Sequence, residues 1–87
     1  MIILQEAMEE ASARLAEHYE SAEAINEGGC FDWATEVMAY IDCKIVARTY
    51  AGGYHCFIEY RGKYYDSETT QGIRRWQSLP YFKRCRE

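Results

Sequence analysis

Several features that would place this chain in other classes of protein are missing or scarce. It has a single proline, no C-x-x-C pair, no internal repeat and no apolar run of membrane-spanning length. One proline and a hydrophobic content of 48% argue against disorder and indicate a folded chain. The start, M-I-I-L-Q-E-A-M-E-E, has no basic region, so we expect neither a signal peptide nor a membrane span, and a cytoplasmic protein.

The four cysteines lack the paired close spacing that is typical of structural zinc sites. Without an export signal we expect reduced thiols rather than disulfides. A zinc site formed by Cys43, His55, Cys56 and Cys85 stays a minor alternative, whereas Cys43 and Cys56 fit best as small buried hydrophobic residues. We therefore predict no metal and no other cofactor.

The charges are distributed unevenly along the chain, whose net charge is −4. Nine of the fourteen acidic residues precede residue 37, where Arg14 is the one basic residue, and this excess of acid argues against a nucleic-acid partner. The end of the chain is basic and contains Arg74, Arg75, Lys83, Arg84 and Arg86. We expect a solvated face that pairs with the acidic N-terminal helix, rather than a phosphate or RNA site.

Two amphipathic helices are predicted in the first half of the chain, whose 87 residues suffice for one domain, 1–87, with a small core. Apolar residues recur at steps of three and four from Leu4 to Ile25, which predicts one long helix. The glycine pair Gly28-Gly29 ends it. A second helix is predicted from Cys30 to about Asp42, because its apolar residues, Met38 among them, again share one face.

The second half predicts a small antiparallel sheet. Lys44–Tyr50 is β-branched and alternating, which is typical of a strand. Tyr54–Asp66, Y-H-C-F-I-E-Y-R-G-K-Y-Y-D, predicts two strands joined by a turn at Arg61-Gly62, since glycine tolerates the positive φ of two-residue turns. The S-E-T-T-Q-G segment is predicted as a loop and Ile73–Phe82 as a short helical turn. The predicted fold class is α+β: two N-terminal helices on a meander of about three strands, with a short C-terminal helical turn.

A two-residue turn determines which side chains share a face of the hairpin. Phe57 then pairs with Asp66, so Asp66 is the diagonal neighbour of His55, at roughly 7 to 8 Å between Cα atoms. This places a carboxylate within reach of an imidazole, as a nucleophilic triad requires. A three-residue loop would instead turn Asp66 to the other face, and the carboxylate would be Glu68 or Glu59, or the site a Cys-His dyad.

Cys30 is the candidate nucleophile, because it lies where the second helix begins and where free amides and the helix dipole favour an anion. We predict that its thiolate attacks a carbonyl carbon, that His55 acts as the base and protonates the leaving amine, and that Asp66 orients the imidazole. The backbone N–H of Cys30 is the first candidate for an oxyanion donor. Asn26 is a weaker candidate for a second donor, since a helix C-cap is its favoured role.

Three motifs, G-G-C-F-D-W-A, H-C-F-I-E-Y-R-G-K-Y-Y-D-S-E and Q-G-I-R-R-W-Q-S-L-P, follow one another between about residues 28 and 82. In order and spacing they resemble the papain-like cysteine hydrolase superfamily, nearest its transglutaminase-like branch, in a minimal version of a size that suits a phage gene. The resemblance implies a cysteine that opens a helix, with His and Asp on neighbouring strands. It implies Cys30 as nucleophile, His55 as base and Asp66 as orienting carboxylate, and Trp33 and Ala34 match the start of the cysteine helix.

Two functions are consistent with these patterns. The first is a thiol-dependent hydrolase or acyltransferase that acts on a peptide, isopeptide or side-chain amide, with a protein or peptide substrate and neither a nucleic-acid nor a membrane partner. The second is a catalytically silent binding or inhibitor module that contacts a partner protein through the basic tail and aromatic residues. Under the second hypothesis Cys30 is a small buried residue, His55 an ordinary strand residue and Asp66 a turn former.

Overall fold

Helices and strands occupy most of the chain in the computed structural model, which describes residues 2–86. The helices are α1 (Leu4–Leu15), α2 (Ala22–Gly28), α3 (Cys30–Met38) and α4 (Pro80–Cys85). The strands are β1 (Lys44–Tyr50), β2 (Gly53–Tyr60), β3 (Lys63–Asp66) and β4 (Thr69–Ile73), and a 3₁₀ turn (Trp76–Ser78) precedes α4. The strands form an antiparallel sheet in the order β1-β2-β3-β4. The α+β prediction is confirmed, with four strands in the described residues instead of about three.

The hairpin between β2 and β3 has the predicted turn and the predicted register over three pairs, but the predicted fourth pair, Phe57 with Asp66, is not formed. Arg61 and Gly62 both have positive φ, 49° and 82°, as a two-residue turn of type I′ requires. Among the residues of β2 that pair with β3, Ile58, which lies opposite Tyr65, is the farthest from the turn. β1 pairs with β2 along its whole length. The part of β2 before Ile58 therefore pairs with β1 at one edge, while its other edge has no paired strand within the described residues.

The two faces of the sheet contribute to different cores. Successive side chains of a strand point to opposite faces, and Ile58 belongs to the core formed with α1, α2 and α3. Phe57 belongs to a second core, which includes Phe82 of α4. His55 is two residues before Phe57 and so faces the second core, whereas Cys56 faces the same side as Ile58.

The predicted long helix from Leu4 to Ile25 is wrong, because the chain turns between α1 and α2. Ser21 begins the new helix, since its Oγ accepts a hydrogen bond from the Ala24 N–H over 3.0 Å and caps α2. The Tyr19 side chain, in the turn, packs against Gly29 at the end of α2. Apolar residues keep their steps of three and four across this break, so the periodicity does not reveal it. None of the helices within residues 2–86 has the length and apolar character needed to cross a membrane.

Two further boundaries differ from the prediction. α3 ends at Met38 instead of about Asp42, and the Met38 side chain is 46% exposed rather than on the buried face. The predicted loop S-E-T-T-Q-G contains β4, which a two-residue turn joins to β3 so that Asp66 lies opposite Thr69. The β-branched threonines of this segment suit a strand. The short C-terminal helical element is present as the 3₁₀ turn and α4.

Candidate active site

Cys30 is the first residue of α3, and its half-buried side chain lies beside the open part of β2. The backbone N–H of Cys56 donates a hydrogen bond to Cys30 Sγ over 3.4 Å. Cys56 precedes Ile58, so β3 does not pair with it. This N–H and the start of α3 both place partial positive charge beside the sulfur, where a negative charge is favoured.

His55 and Asp66 form a buried pair, as the predicted hairpin register requires. His55 Nε2 and Asp66 Oδ2 are 2.9 Å apart, and the two side chains are 0% and 1% exposed. The other carboxylate oxygen, Oδ1, accepts the backbone N–H of Glu68 over 3.0 Å. An ionised carboxylate only accepts hydrogen bonds, so the proton between the two side chains is on Nε2. Asp66 is thus held by one oxygen and orients the imidazole with the other.

Aromatic rings of the second core surround His55. Tyr81 of α4 stacks on the imidazole, with 4.5 Å between ring centroids and 22° between planes. Phe57 and Phe82 lie with their ring centroids 5.6 and 5.7 Å from that of His55. These contacts exclude water from the His55–Asp66 pair and limit the orientations of the imidazole. Sequence analysis assigned Tyr81 no role, because nothing in its local sequence indicates which strand α4 contacts.

The pKa of His55 results from opposing effects. Burial disfavours the imidazolium and lowers the pKa, whereas the Asp66 carboxylate and the nearby Cys30 thiol raise it, and the net pKa lies above the ordinary value of 6.5. Because Asp66 occupies Nε2, the nitrogen available to Cys30 is Nδ1. Within residues 2–86, Nδ1 is buried and forms no hydrogen bond. One imidazole nitrogen therefore serves the carboxylate, and the other is left for the thiol.

Asn26 lies inside α2 and not at its C-cap, which is Gly29, so the C-cap interpretation is wrong. The side chain is buried between α2 and the turn that joins β3 to β4. Its Nδ2 donates to Glu68 Oε2 over 2.8 Å, and its Oδ1 accepts from Ser67 Oγ over 2.9 Å. The role of second oxyanion donor stays a prediction, and these contacts give it no support because the amide is already bonded to Glu68.

The glycines before Cys30 make room for an aromatic ring. A Cβ on Gly29 would lie 2.8 Å from Tyr19 ring atoms, and a Cβ on Gly28 would lie 3.2 Å from that ring. Distances below about 3 Å force a neighbour to move. Tyr19 therefore covers the backbone that leads into α3 and helps to determine where Cys30 lies.

Arg84 connects α4 to the turn that follows Asp66. Its guanidinium donates to Glu68 over 2.8 and 3.0 Å and to Glu27 over 3.2 Å, and Glu23 lies 3.9 Å away. The hydrogen bonds with Glu68 contribute most to an Arg84 pKa above its ordinary value. Since Glu23 and Glu27 belong to α2, the expected pairing of the basic tail with the acidic N-terminal region is observed for Arg84.

The alternative carboxylates, Glu68 and Glu59, have other partners in the structure, and the alternative zinc site is not formed within residues 2–86. Glu68 is engaged by Arg84, and Glu59 pairs with Lys44 and Tyr64 in the sheet register. Within residues 2–86, no group of three His, Cys, Asp or Glu side chains is placed to hold a metal ion. The structure therefore does not gather the zinc-ligand candidates, Cys43, His55, Cys56 and Cys85, into a site.

Tyr54 is the residue near Cys30 that sequence analysis did not single out. It directly precedes His55, its side chain is 61% exposed, and a weak hydrogen bond of 3.8 Å links its Oη to Cys56 Sγ. Phe31, the residue after Cys30, is also aromatic and 58% exposed. In the sequence, only position indicates these two aromatic residues: Phe31 directly follows Cys30, and Tyr54 directly precedes His55.

Comparison of the chain with protein-family models, with curated proteins and with solved structures finds no match.

Proposed function

We propose that the chain is a thiol-dependent hydrolase or acyltransferase that acts on a peptide, isopeptide or side-chain amide. Cys30 attacks the carbonyl carbon, His55 takes the thiol proton and gives it to the leaving amine, and Asp66 orients the imidazole. The substrate is a protein or peptide, and the chemistry uses no cofactor.

The buried contact between His55 Nε2 and Asp66 Oδ2 carries this proposal. Removing an imidazole and a carboxylate from water costs free energy that apolar residues of similar size would not cost, so such a pair needs a reason beyond stability. Its geometry supplies one, because Nδ1 is left without a hydrogen bond while Cys30 lies close enough to affect the pKa of the imidazole. The raised pKa of His55 increases the protonated fraction near neutral pH, which supports a thiolate–imidazolium pair.

The order of the motifs supports the same proposal. Cys30 opens a helix, and His55 and Asp66 lie on neighbouring antiparallel strands, the arrangement that a papain-like cysteine hydrolase of the transglutaminase-like branch would have. We assign the chain to that superfamily as part of the proposal. Its four cysteines are free thiols, which suits a reducing compartment such as the cytoplasm.

Acylation by p-nitrophenyl acetate tests the proposal. Attack by Cys30 releases p-nitrophenolate in a stoichiometric burst and leaves an acetyl group on the peptide that contains Cys30. The burst should disappear in Cys30→Ala and remain in the matched variant Cys85→Ala, which removes a half-buried thiol outside the triad. A burst that survives in Cys30→Ala would contradict the proposed function.

A specific observation also favours the second candidate, a module that binds an acidic partner protein. Five exposed basic side chains form no ion pair within residues 2–86, namely Arg48, Arg74, Arg75, Lys83 and Arg86. Arg48 lies 5.9 Å from the ring centroid of Trp76, Arg86 lies 5.9 Å from that of Tyr50, and these two rings are in edge contact at 5.6 Å. Cations that stack on aromatic rings keep their N–H groups available to carboxylates.

Binding of a fluorescent oligoglutamate peptide separates the two candidates. The binding module predicts that Arg48→Glu with Arg86→Glu abolishes binding, whereas Cys30→Ala leaves both peptide binding and the biological activity intact. Retained peptide binding in the charge-reversed variant would remove the second candidate.

A further inference from the structure

Two hydrogen-bonding groups of Cys56 connect Cys30 to Tyr54. The Cys56 backbone N–H donates to Cys30 Sγ over 3.4 Å, while the Cys56 thiol lies 3.8 Å from Tyr54 Oη. Tyr54 and Cys56 are two residues apart on β2, so their side chains share the face on which Ile58 contacts the N-terminal helices. Cys30 Sγ thus lies at the open edge of β2, and Tyr54 projects from the adjoining face of the same strand.

The Tyr54 hydroxyl has no strong hydrogen-bond partner within residues 2–86. Its contact with Cys56 Sγ is 3.8 Å long and weak, and both the phenol and the thiol can donate or accept. The phenol proton can therefore turn to a stronger acceptor, such as a carbonyl oxygen that carries negative charge. The hydrogen bond with Cys56, followed by the charges of Cys56 and, most weakly, of Cys30, raises the pKa of Tyr54, so the phenol stays protonated at neutral pH.

We propose that the Tyr54 O–H and the Cys56 backbone N–H are the donors that stabilise the oxyanion formed when Cys30 attacks a carbonyl carbon. The inference rests on the proposed function and adds a catalytic residue to it. It also provides the side-chain donor that sequence analysis sought in Asn26, whose amide is bonded to Glu68.

The chemical step assigns each group one task. The Cys30 thiolate forms a bond to the carbonyl carbon, and the π electrons of the C=O bond move to the oxygen. That oxygen is two bonds from Sγ, within reach of an N–H that already contacts the sulfur. The Tyr54 O–H donates to the same oxygen from the solvent side. Collapse restores the C=O bond and expels the leaving group, which His55 protonates when it is an amine.

The exposure of Tyr54 fits this role. At 61% exposed, its side chain is available to a substrate before the reaction begins. A substrate bound over Cys30 would cover the phenol and remove water from it, and hydrogen bonds to a developing charge are strongest where water is excluded. His55, by contrast, is fully buried and projects from the opposite face of β2.

Two probes of Cys30 distinguish oxyanion stabilisation from an effect on the thiolate. Acylation by p-nitrophenyl acetate passes through a tetrahedral oxyanion, whereas alkylation by iodoacetamide is a direct displacement without one. Tyr54→Phe should slow acylation by about 10²-fold, the usual effect of losing one oxyanion donor, and leave the alkylation rate unchanged. The loss should fall on the limiting rate constant of the burst rather than on the ester concentration that gives half of that rate.

Tyr40→Phe is the matched control, since it removes a phenol that accepts a hydrogen bond from Arg14 and not from the residues around Cys30. It should change neither rate. Equal slowing of acylation and alkylation in Tyr54→Phe would show that Tyr54 acts on the thiolate and would overturn the inference, as would an unchanged acylation rate. Absence of Cys30 acylation in the wild type would instead overturn the proposed function, and the inference with it.

Discussion

His55 Nε2 lies 2.9 Å from Asp66 Oδ2 across two strands that a two-residue turn connects, and neither side chain reaches solvent. The backbone N–H of Glu68 holds the second oxygen of Asp66, so the carboxylate cannot rotate without breaking a hydrogen bond. The orientation of the imidazole is therefore determined by one short hairpin and the turn after it. Cys30 does not belong to this hairpin, since it lies at the start of α3.

Asp66→Asn should abolish most of the reactivity of Cys30 without unfolding the chain. The amide oxygen would keep the hydrogen bond from the Glu68 N–H, which leaves the NH₂ group facing His55 Nε2. Nε2 must then accept, so the imidazole carries its proton on Nδ1 and cannot take one from the thiol. We expect acylation by p-nitrophenyl acetate to slow by about 10² to 10⁴-fold.

Glu59→Gln serves as the control for this variant, because it neutralises a carboxylate of the same hairpin that makes no contact with His55. It should acylate at the wild-type rate. Comparable rates for Asp66→Asn and the wild type would show that Asp66 does not orient the base.

The protonation of His55 should make the stability of the protein depend on pH in a defined direction. A native pKa above the unfolded value of about 6.5 means that the stabilisation is complete below about pH 6.5 and is lost as pH rises through the native pKa. We expect the difference in free energy of unfolding between the wild type and His55→Gln to shrink between about pH 6 and pH 9. Urea unfolding of the two proteins at about pH 6 and at about pH 9 measures this difference in free energy.

An NMR titration of the His55 ring gives the same quantity directly. Its midpoint should lie above about 6.5 in the wild type and fall in Asp66→Asn, since the carboxylate that favours the imidazolium is gone. A midpoint below 6.5 in the wild type would mean that burial outweighs the effects of Asp66 and Cys30 on the imidazole.

Gly29→Ala should destabilise the protein by about 1 to 3 kcal/mol, because its Cβ would lie 2.8 Å from the Tyr19 ring and force that ring to move. Urea unfolding of Gly29→Ala, Tyr19→Leu and the double variant forms a cycle. The smaller leucine should remove most of the cost of the alanine. An equal cost in both backgrounds would show that Gly29 is needed for another reason.

Arg84→Gln should cost about 1 to 3 kcal/mol of stability, since it leaves the partly buried Glu68 without its strongest partner. Arg74→Gln, at an exposed arginine without an ion pair within residues 2–86, should change stability by less than about 0.5 kcal/mol. Thermal unfolding at low and high salt compares the two. Equal effects would mean that the contacts of Arg84 with Glu27 and Glu68 contribute little.

The pair of His55 and Asp66 could be predicted from the sequence because it is local. The two residues are eleven positions apart on one hairpin, and Gly62 indicates the turn that sets their register. Cys30 at a helix start was predicted for a similar reason, since the glycine pair before it indicates a break. These features depend on turn chemistry and alternation, which a short stretch of sequence contains.

Contacts between layers could not be predicted in this way. The stacking of Tyr81 on His55 and the hydrogen bond from Cys56 to Cys30 depend on how α4 and α3 pack against β2. Residue periodicity indicates which face of an element is buried but not which element covers it. The break at Ser21 was missed because the apolar steps continue through it, although a serine at that position is a good N-cap.

Alkylation by iodoacetamide, followed at each cysteine by peptide mass spectrometry between about pH 6 and pH 8.5, tests the thiolate–imidazole site most directly. Cys30 should react at least about tenfold faster than Cys85 at the lower pH and lose that advantage in His55→Ala. It should also lose it in Asp66→Asn, which retains the imidazole and serves where His55→Ala does not fold. Cys43, whose thiol pKa is raised by burial, should react slowly throughout. A Cys30 no faster than Cys85 or free cysteine would contradict the site.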